Sequence, residues 1–208
     1  MTGRRTLMCA IVGLIAMGVA VAGEPMELLA ALREGKVQAT FYGNGDESVR
    51  GRIRATGRGP DQVYVEPGTQ FWAQQEGMQG MTTLGFVPID LRGRRYVFVE
   101  IPTACTNYDL PAPGRWDGMI PHPCPSPTMT LLSTTVGKLQ PPRGVVQLAV
   151  WAVANNPTWE QVVGYAQGRA TGDSDEELAA NAEVMRGLAA QLLAEAGLAP
   201  AAFRMFRE

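Results

Sequence analysis

The chain has 208 residues, of which 18 are lysine or arginine and 20 are aspartate or glutamate, and its formal net charge is −2. A balance this close to neutral argues against the strongly basic domain that nucleic-acid binding usually requires. Beyond the N-terminal segment, no run of about 18 uncharged apolar residues occurs, so no membrane-spanning helix is expected there.

The first residues carry the pattern of a secretory signal peptide. Arg4 and Arg5 form a short basic head, an uncharged apolar run extends from Leu7 to Val19, and the small-x-small pattern of Ala20-Val21-Ala22 follows. We therefore predict a signal peptide over residues 1–22 and a mature protein in the periplasm or the medium. The arginine pair also echoes a twin-arginine signal, but the rest of that consensus is absent, which favours general secretion.

After the signal segment, the pattern indicates a short helix and then several short strands. Residues 25–35 place apolar side chains on one side and end at a glycine, which is typical of a helix. Alternation of apolar and polar residues follows in five segments bounded by Gly- and Pro-containing turns: 37–41, 49–55, 62–66, 83–87 and 95–101. This spacing predicts an α+β fold built on an antiparallel β-sandwich.

Two of these strands have unusual outward residues. Arg50, Arg52 and Arg54 alternate with apolar neighbours, which is typical of a half-solvated strand, and an anion site is the alternative interpretation. Phe98 stands between Val97 and Val99, which suggests apolar contacts on both faces and a central position in the sheet.

A proline-rich segment follows, from 102 to 127. Its seven prolines exclude a helix and disfavour a central strand. Cys105 and Cys124 lie in it, and two cysteines in an exported protein predict one disulfide. Tyr108, Trp116 and His122 share this loop, and aromatic side chains on a braced loop suggest a binding surface. Packing of the loop onto the sandwich is the alternative.

The last third of the chain indicates helices. Helical periodicity occurs at 128–138 and 144–155, and capping boxes begin at Thr158 and Ser174, the latter opening the longest helix. We predict two structural units. The first, residues 23–127, would hold the short helix, the sandwich and its loop, and the second, residues 128–208, would be a helical subdomain packed on the sandwich.

Four short fragments occur in a recognisable order: Pro67–Phe71, Gln79–Met81, Cys105–Asn107 and Gln147–Trp151. Their order resembles a group of secreted bacterial and archaeal domains in which an Ig-like sandwich precedes a small helical unit. The resemblance covers about residues 37–165 and implies an Ig-like form of the sandwich rather than any activity.

The Gln-x-Ala-x-Trp fragment also resembles a motif of thioester-domain adhesins, in which a glutamine joined to a cysteine traps host nucleophiles. This resemblance implies that Gln147 is the acyl donor and Cys105 the thiol, although Val146 stands where that family usually has threonine. Alternatively, Gln147 bonds to nearby backbone and Trp151 anchors the core.

Other catalytic sets are sparse. His122 is the only histidine, and its position between two prolines suits neither a serine triad nor a His-based zinc site. A hydrolase would have to pair it with Asp109 or Asp117. We expect no metal and no cofactor, and we predict a non-enzymatic recognition or envelope-structural protein. Its expected partner is an extracytoplasmic protein or glycan. A thioester adhesin and a hydrolase are the alternatives.

Overall fold

The computed structural model describes residues 24–57, 59–167 and 175–207, so the predicted signal peptide and the capping box at Ser174 lie outside the described residues. The strands are β1 (Met26–Glu27), β2 (Val37–Gly43), β3 (Ser48–Ala55), β4 (Gln62–Val65), β5 (Gln70–Ala73), β6 (Met81–Thr83), β7 (Val87–Asp90), β8 (Val97–Cys105) and β9 (Gly118–His122). The helices are α1 (Leu28–Arg33), α2 (Pro127–Leu139), α3 (Arg143–Ala154), α4 (Trp159–Gln167) and α5 (Asp175–Glu195), followed by 3₁₀ turns at Pro200–Ala202 and Arg204–Phe206.

Six strands form a closed antiparallel barrel in the order β2-β3-β8-β6-β5-β9, and a separate three-stranded sheet has the order β1-β4-β7. The prediction of an Ig-like β-sandwich is therefore wrong. The barrel closes because β9, a strand inside the proline-rich segment, pairs with β2 (Tyr42 with Gly118) and with β5 (Trp72 with Ile120). Alternation along a strand specifies its inward face, but it does not specify which distant strand completes the sheet.

The barrel interior holds one of two apolar clusters. Phe41 and Phe71 meet edge to face there, with ring centroids 5.2 Å apart, and both are buried. Gly51 lies opposite Phe41 in the β2–β3 ladder, and a Cβ at that position would stand 2.6 Å from the phenylalanine ring. The glycine therefore leaves the space that the aromatic core occupies.

The second cluster lies between the barrel and the helices. Ala104, which points outward from β8, belongs to it together with apolar residues of α2, α3 and α5, including Leu132, Ala149 and Leu193. The β6–β7 turn comes very close to α2, since a Cβ on Gly137 would lie 2.5 Å from the Cα of Gly85. None of the helices in the described ranges is both long and apolar enough to cross a bilayer.

The predicted disulfide is also wrong, because Cys105 and Cys124 are not bonded to each other. Cys105 ends β8 and belongs to the barrel cluster, where its Sγ lies 3.7 Å from the Sδ of Met81. Cys124 packs against the helical cluster, and its thiol donates to the backbone oxygen of Ser126 at 3.2 Å. Strand alternation turns the Cys105 sulfur toward the barrel interior. Cys124 follows β9, and its sulfur lies outside the barrel wall.

Candidate functional site

The outer face of β2, β3 and β8 is exposed and carries an unusual set of side chains. Rows across the three strands bring Tyr42, Arg50 and Glu100 side by side, and next to them Thr40, Arg52 and Phe98. We call this surface the basic–aromatic face and define it by these residues together with Gln38, Arg54, Arg95, Tyr96, Arg115 and Trp116.

The arginines of β3 face solvent, and Arg54 donates through Nε and Nη2 to Gln38 Oε1. Arg50, Arg52 and Arg54 are exposed, as the strand pattern predicts. Within the described part of the chain, no carboxylate forms a salt bridge with any of the three. Glu100, the carboxylate that lies opposite Arg50, instead accepts hydrogen bonds from Ser48 Oγ (2.7 Å) and Asn44 Nδ2 (3.1 Å). Glu100 is thus hydrogen-bonded to neutral donors and not to an arginine of the described ranges.

The aromatic rings of this face stand among the guanidinium groups. Phe98 and Trp116 are 73% and 81% exposed, the two highest values among the large hydrophobic side chains in the described ranges. Tyr96 lies edge-on to Phe98 at 5.3 Å, and the Arg52 guanidinium lies 5.7 Å from the Tyr96 ring centroid. The Arg115 guanidinium lies 5.2 Å from the ring of Trp116. Planar cations and planar rings therefore alternate across the surface.

The three aromatic residues that the sequence grouped as a binding loop lie in separate places. Tyr108 packs edge-on against Trp151 at 6.5 Å, and His122 stacks on Trp72 with centroids 4.0 Å apart. Only Trp116 belongs to the basic–aromatic face. Prolines and β9 divide the segment, so nearness in sequence does not bring these side chains together.

Sequence reasoning missed the aromatic partners of the arginines. Phe98 was expected to meet apolar groups on both sides of a central strand, yet its ring points outward and stays exposed. The usable signal was strand alternation, because Tyr96 and Phe98 are two residues apart and therefore lie on the face opposite to Val97 and Val99. Alternation thus places both rings on the outward face, where β3 presents its arginines.

Gln147 and Cys105 are adjacent through the backbone of β8. The Cys105 N–H donates to Gln147 Oε1 at 3.1 Å, and Gln147 Nε2 donates to the Cys105 carbonyl at 2.7 Å. One helical turn earlier, Arg143 donates to the carbonyl of Thr103.

Strand β3 begins at Ser48, opposite Pro102, and therefore supplies no ladder partner beside Cys105. The two side chains of α3 replace the missing strand and satisfy backbone groups that would otherwise be orphaned. The glutamine amide thus engages the Cys105 main chain, while the sulfur faces Met81.

The two candidate acids of a hydrolase differ in their surroundings. Asp117 accepts from the Gly114 N–H at 2.7 Å and closes the turn before β9, and Asp109 is exposed. In residues 24–57, 59–167 and 175–207, no group of three or more His, Cys, Asp or Glu side chains is placed to hold a metal ion.

Comparisons of this chain with protein families, curated proteins and solved structures gave no match.

Proposed function

We propose that this chain is a non-enzymatic recognition protein that binds a glycan outside the cytoplasm through the basic–aromatic face. The signal-peptide pattern at residues 1–22 supports the extracytoplasmic setting. The helices pack on the barrel at Ala104, while the surface formed by β2, β3 and the first half of β8 stays exposed.

The observation that carries the proposal is the exposure of Phe98 and Trp116 beside arginines. Large apolar side chains that remain in water as a group are typical of binding surfaces, because folding alone does not require them there. Aromatic rings suit a sugar in particular. They offer a flat apolar area and lose little rotamer entropy when a ligand covers them.

A glycan array tests this function. The full chain is compared with a variant in which Tyr96, Phe98 and Trp116 are replaced by serine, and with Phe86→Ser as the matched control. Phe86 is another exposed aromatic, stacked on Tyr64, and it is not among the residues that define this face. We expect the full chain and the control to bind the same glycans and the triple variant to lose them.

The proposal fails if the full chain binds no glycan, or if the triple variant keeps every glycan that the full chain binds. Thermal unfolding of all three proteins verifies that each is folded. Substitutions of exposed side chains are expected to change stability by only about 0.5 kcal/mol each.

A further inference from the structure

The basic–aromatic face contains two grooves that meet. One has a volume of about 470 Å³ and is lined by Gln38, Arg54, Arg95 and Tyr96 among others. The second has a volume of about 460 Å³ and is lined by Tyr42, Arg50, Phe98, Arg115 and Trp116 among others. Thr40 and Arg52 line both. The grooves therefore adjoin each other at Thr40 and Arg52, and we call the two together the trough.

We infer that this trough binds a linear acidic polysaccharide, a polymer of uronic acid units, lying over Arg52. The inference rests on the proposed function and names the class of glycan. Two adjoining grooves, each with polar and aromatic groups, suit a chain of repeated units better than a single compact ligand.

Charge complementarity selects an acidic polymer. Arg50, Arg52 and Arg54 follow one another on the same side of β3, so their backbone positions are about 6.7 Å apart. Each guanidinium presents a planar fork of donors that matches a carboxylate with two parallel hydrogen bonds. The Arg54 fork already donates to Gln38 Oε1, whereas Glu100 is held by Ser48 and Asn44, so Arg50 and Arg52 can meet a ligand carboxylate without first breaking an ion pair.

The aromatic groups favour sugar rings as the units that carry those carboxylates. Tyr96 lines the first groove and Trp116 the second, so each groove pairs an aromatic ring with arginines. A uronic acid unit has an apolar C–H face for stacking and a carboxylate at its edge. A polymer of such units can therefore meet a ring and a guanidinium in each groove.

A single-stranded nucleic acid has the same general features of charge and flat rings. The signal-peptide pattern at residues 1–22 opposes it, because an exported protein meets cell-surface and extracellular glycans. Nucleic-acid-binding domains usually carry a clearly basic balance. We therefore argue for the polysaccharide and make the nucleic acid an outcome of the test.

The full chain is titrated with polygalacturonate and with alginate, which are both linear uronic acid polymers. Binding is measured by calorimetry and by the change in tryptophan fluorescence. Fully methyl-esterified polygalacturonate is the matched probe without free carboxylates, and poly-dT is the nucleic-acid probe. The variant R50Q/R52Q is compared with R33Q, which removes an exposed arginine of α1 outside the face.

We expect the full chain to bind at least one uronic acid polymer and added salt to weaken this binding. The affinity should fall by about tenfold or more in R50Q/R52Q and stay unchanged in R33Q. The fluorescence change should disappear in Trp116→Phe. Equal binding of the esterified polymer, tighter binding of poly-dT at the same salt concentration, or an unaffected R50Q/R52Q variant would each overturn the inference, as would a lack of binding to both acidic polymers.

The failure of this inference is distinguishable from failure of the proposed function. If neutral glycans on the array bind and the triple serine variant loses them, recognition of a glycan stands and the acidic class is wrong. If no glycan depends on the face, both proposals fall.

Discussion

The pairing of Gln147 with the backbone of Cys105 makes a quantitative prediction about stability. Gln147→Met keeps the length and helix propensity of the side chain but removes both hydrogen bonds. Each orphaned backbone group costs about 1–3 kcal/mol when it is buried. Gln147 is only half-buried, so water can reach the exposed groups in part and the lower value applies to each. We therefore expect a loss of about 2 kcal/mol in the free energy of unfolding.

Urea unfolding followed by circular dichroism measures this loss, and for a domain of this size it corresponds to a fall of about 4–8 °C in Tm. Gln191→Met is the matched control, because Gln191 is an exposed glutamine on α5. It should change stability by less than about 0.5 kcal/mol. An equal effect of the two substitutions would refute the reasoning that α3 completes the ladder of β8.

Gln147→Glu adds a pH test of the same contact. An ionised carboxylate at position 147 has only acceptor atoms, so it cannot bond to the Cys105 carbonyl oxygen, which is also an acceptor. The protonated acid can donate a hydrogen bond to that oxygen. Protonation therefore restores the hydrogen bond to the Cys105 carbonyl, and we expect the variant to be less destabilised, relative to the native chain, at acidic pH than at neutral pH. A variant whose stability relative to the native chain is the same at acidic and at neutral pH would contradict the geometry.

Three further predictions concern other parts of the fold. Gly137→Ala should destabilise the protein by about 1–3 kcal/mol in urea unfolding because its Cβ meets the backbone of the β6–β7 turn, whereas Gly187→Ala, with nothing within 4 Å, should be neutral or stabilising by up to about 1 kcal/mol. Native alkylation followed by mass spectrometry should modify Cys124 first, and Cys105, which is 2% exposed, only after unfolding; equal rates would contradict its burial. Hydrogen bonds from the Arg92 guanidinium and from the Arg92 backbone N–H lower the pKa of Asp90 to about 2. Asp90→Asn should therefore lower stability at neutral pH and lose its effect as the pH falls from about 4 to below 2, and an effect independent of pH would refute this.

Several elements of the fold could be predicted because their causes are local. The sequence predicted a helix at 144–155, and α3 spans Arg143–Ala154. It predicted a capping box at Thr158, where the Gln161 N–H donates to Thr158 Oγ1 and the Thr158 N–H donates to Gln161 Oε1. Neighbouring residues supply both partners in such motifs, so the sequence contains all the information they need.

The candidate site could be predicted only in part. Alternation placed Arg50, Arg52 and Arg54 on an exposed face, because the period of a strand is a property of the backbone. Phe98 was missed, and Trp116 was predicted as a binding residue but not grouped with the arginines, because the two rings reach that face from β8 and from the turn before β9. These residues are 44–66 positions away from the arginines in the sequence, and only strand pairing brings them close.

The sequence by itself determined which residues alternate, where several helices begin and end, and that β3 turns a row of arginines to solvent. The tertiary structure alone decided that the sheet closes into a barrel, that the two sulfurs lie on opposite sides of its wall, and that Gln147 meets the backbone of Cys105. The physical reason is the range of the interactions. Propensity and capping act within a few residues, whereas closure depends on contacts between segments about 40–80 residues apart, whose partners no local pattern specifies.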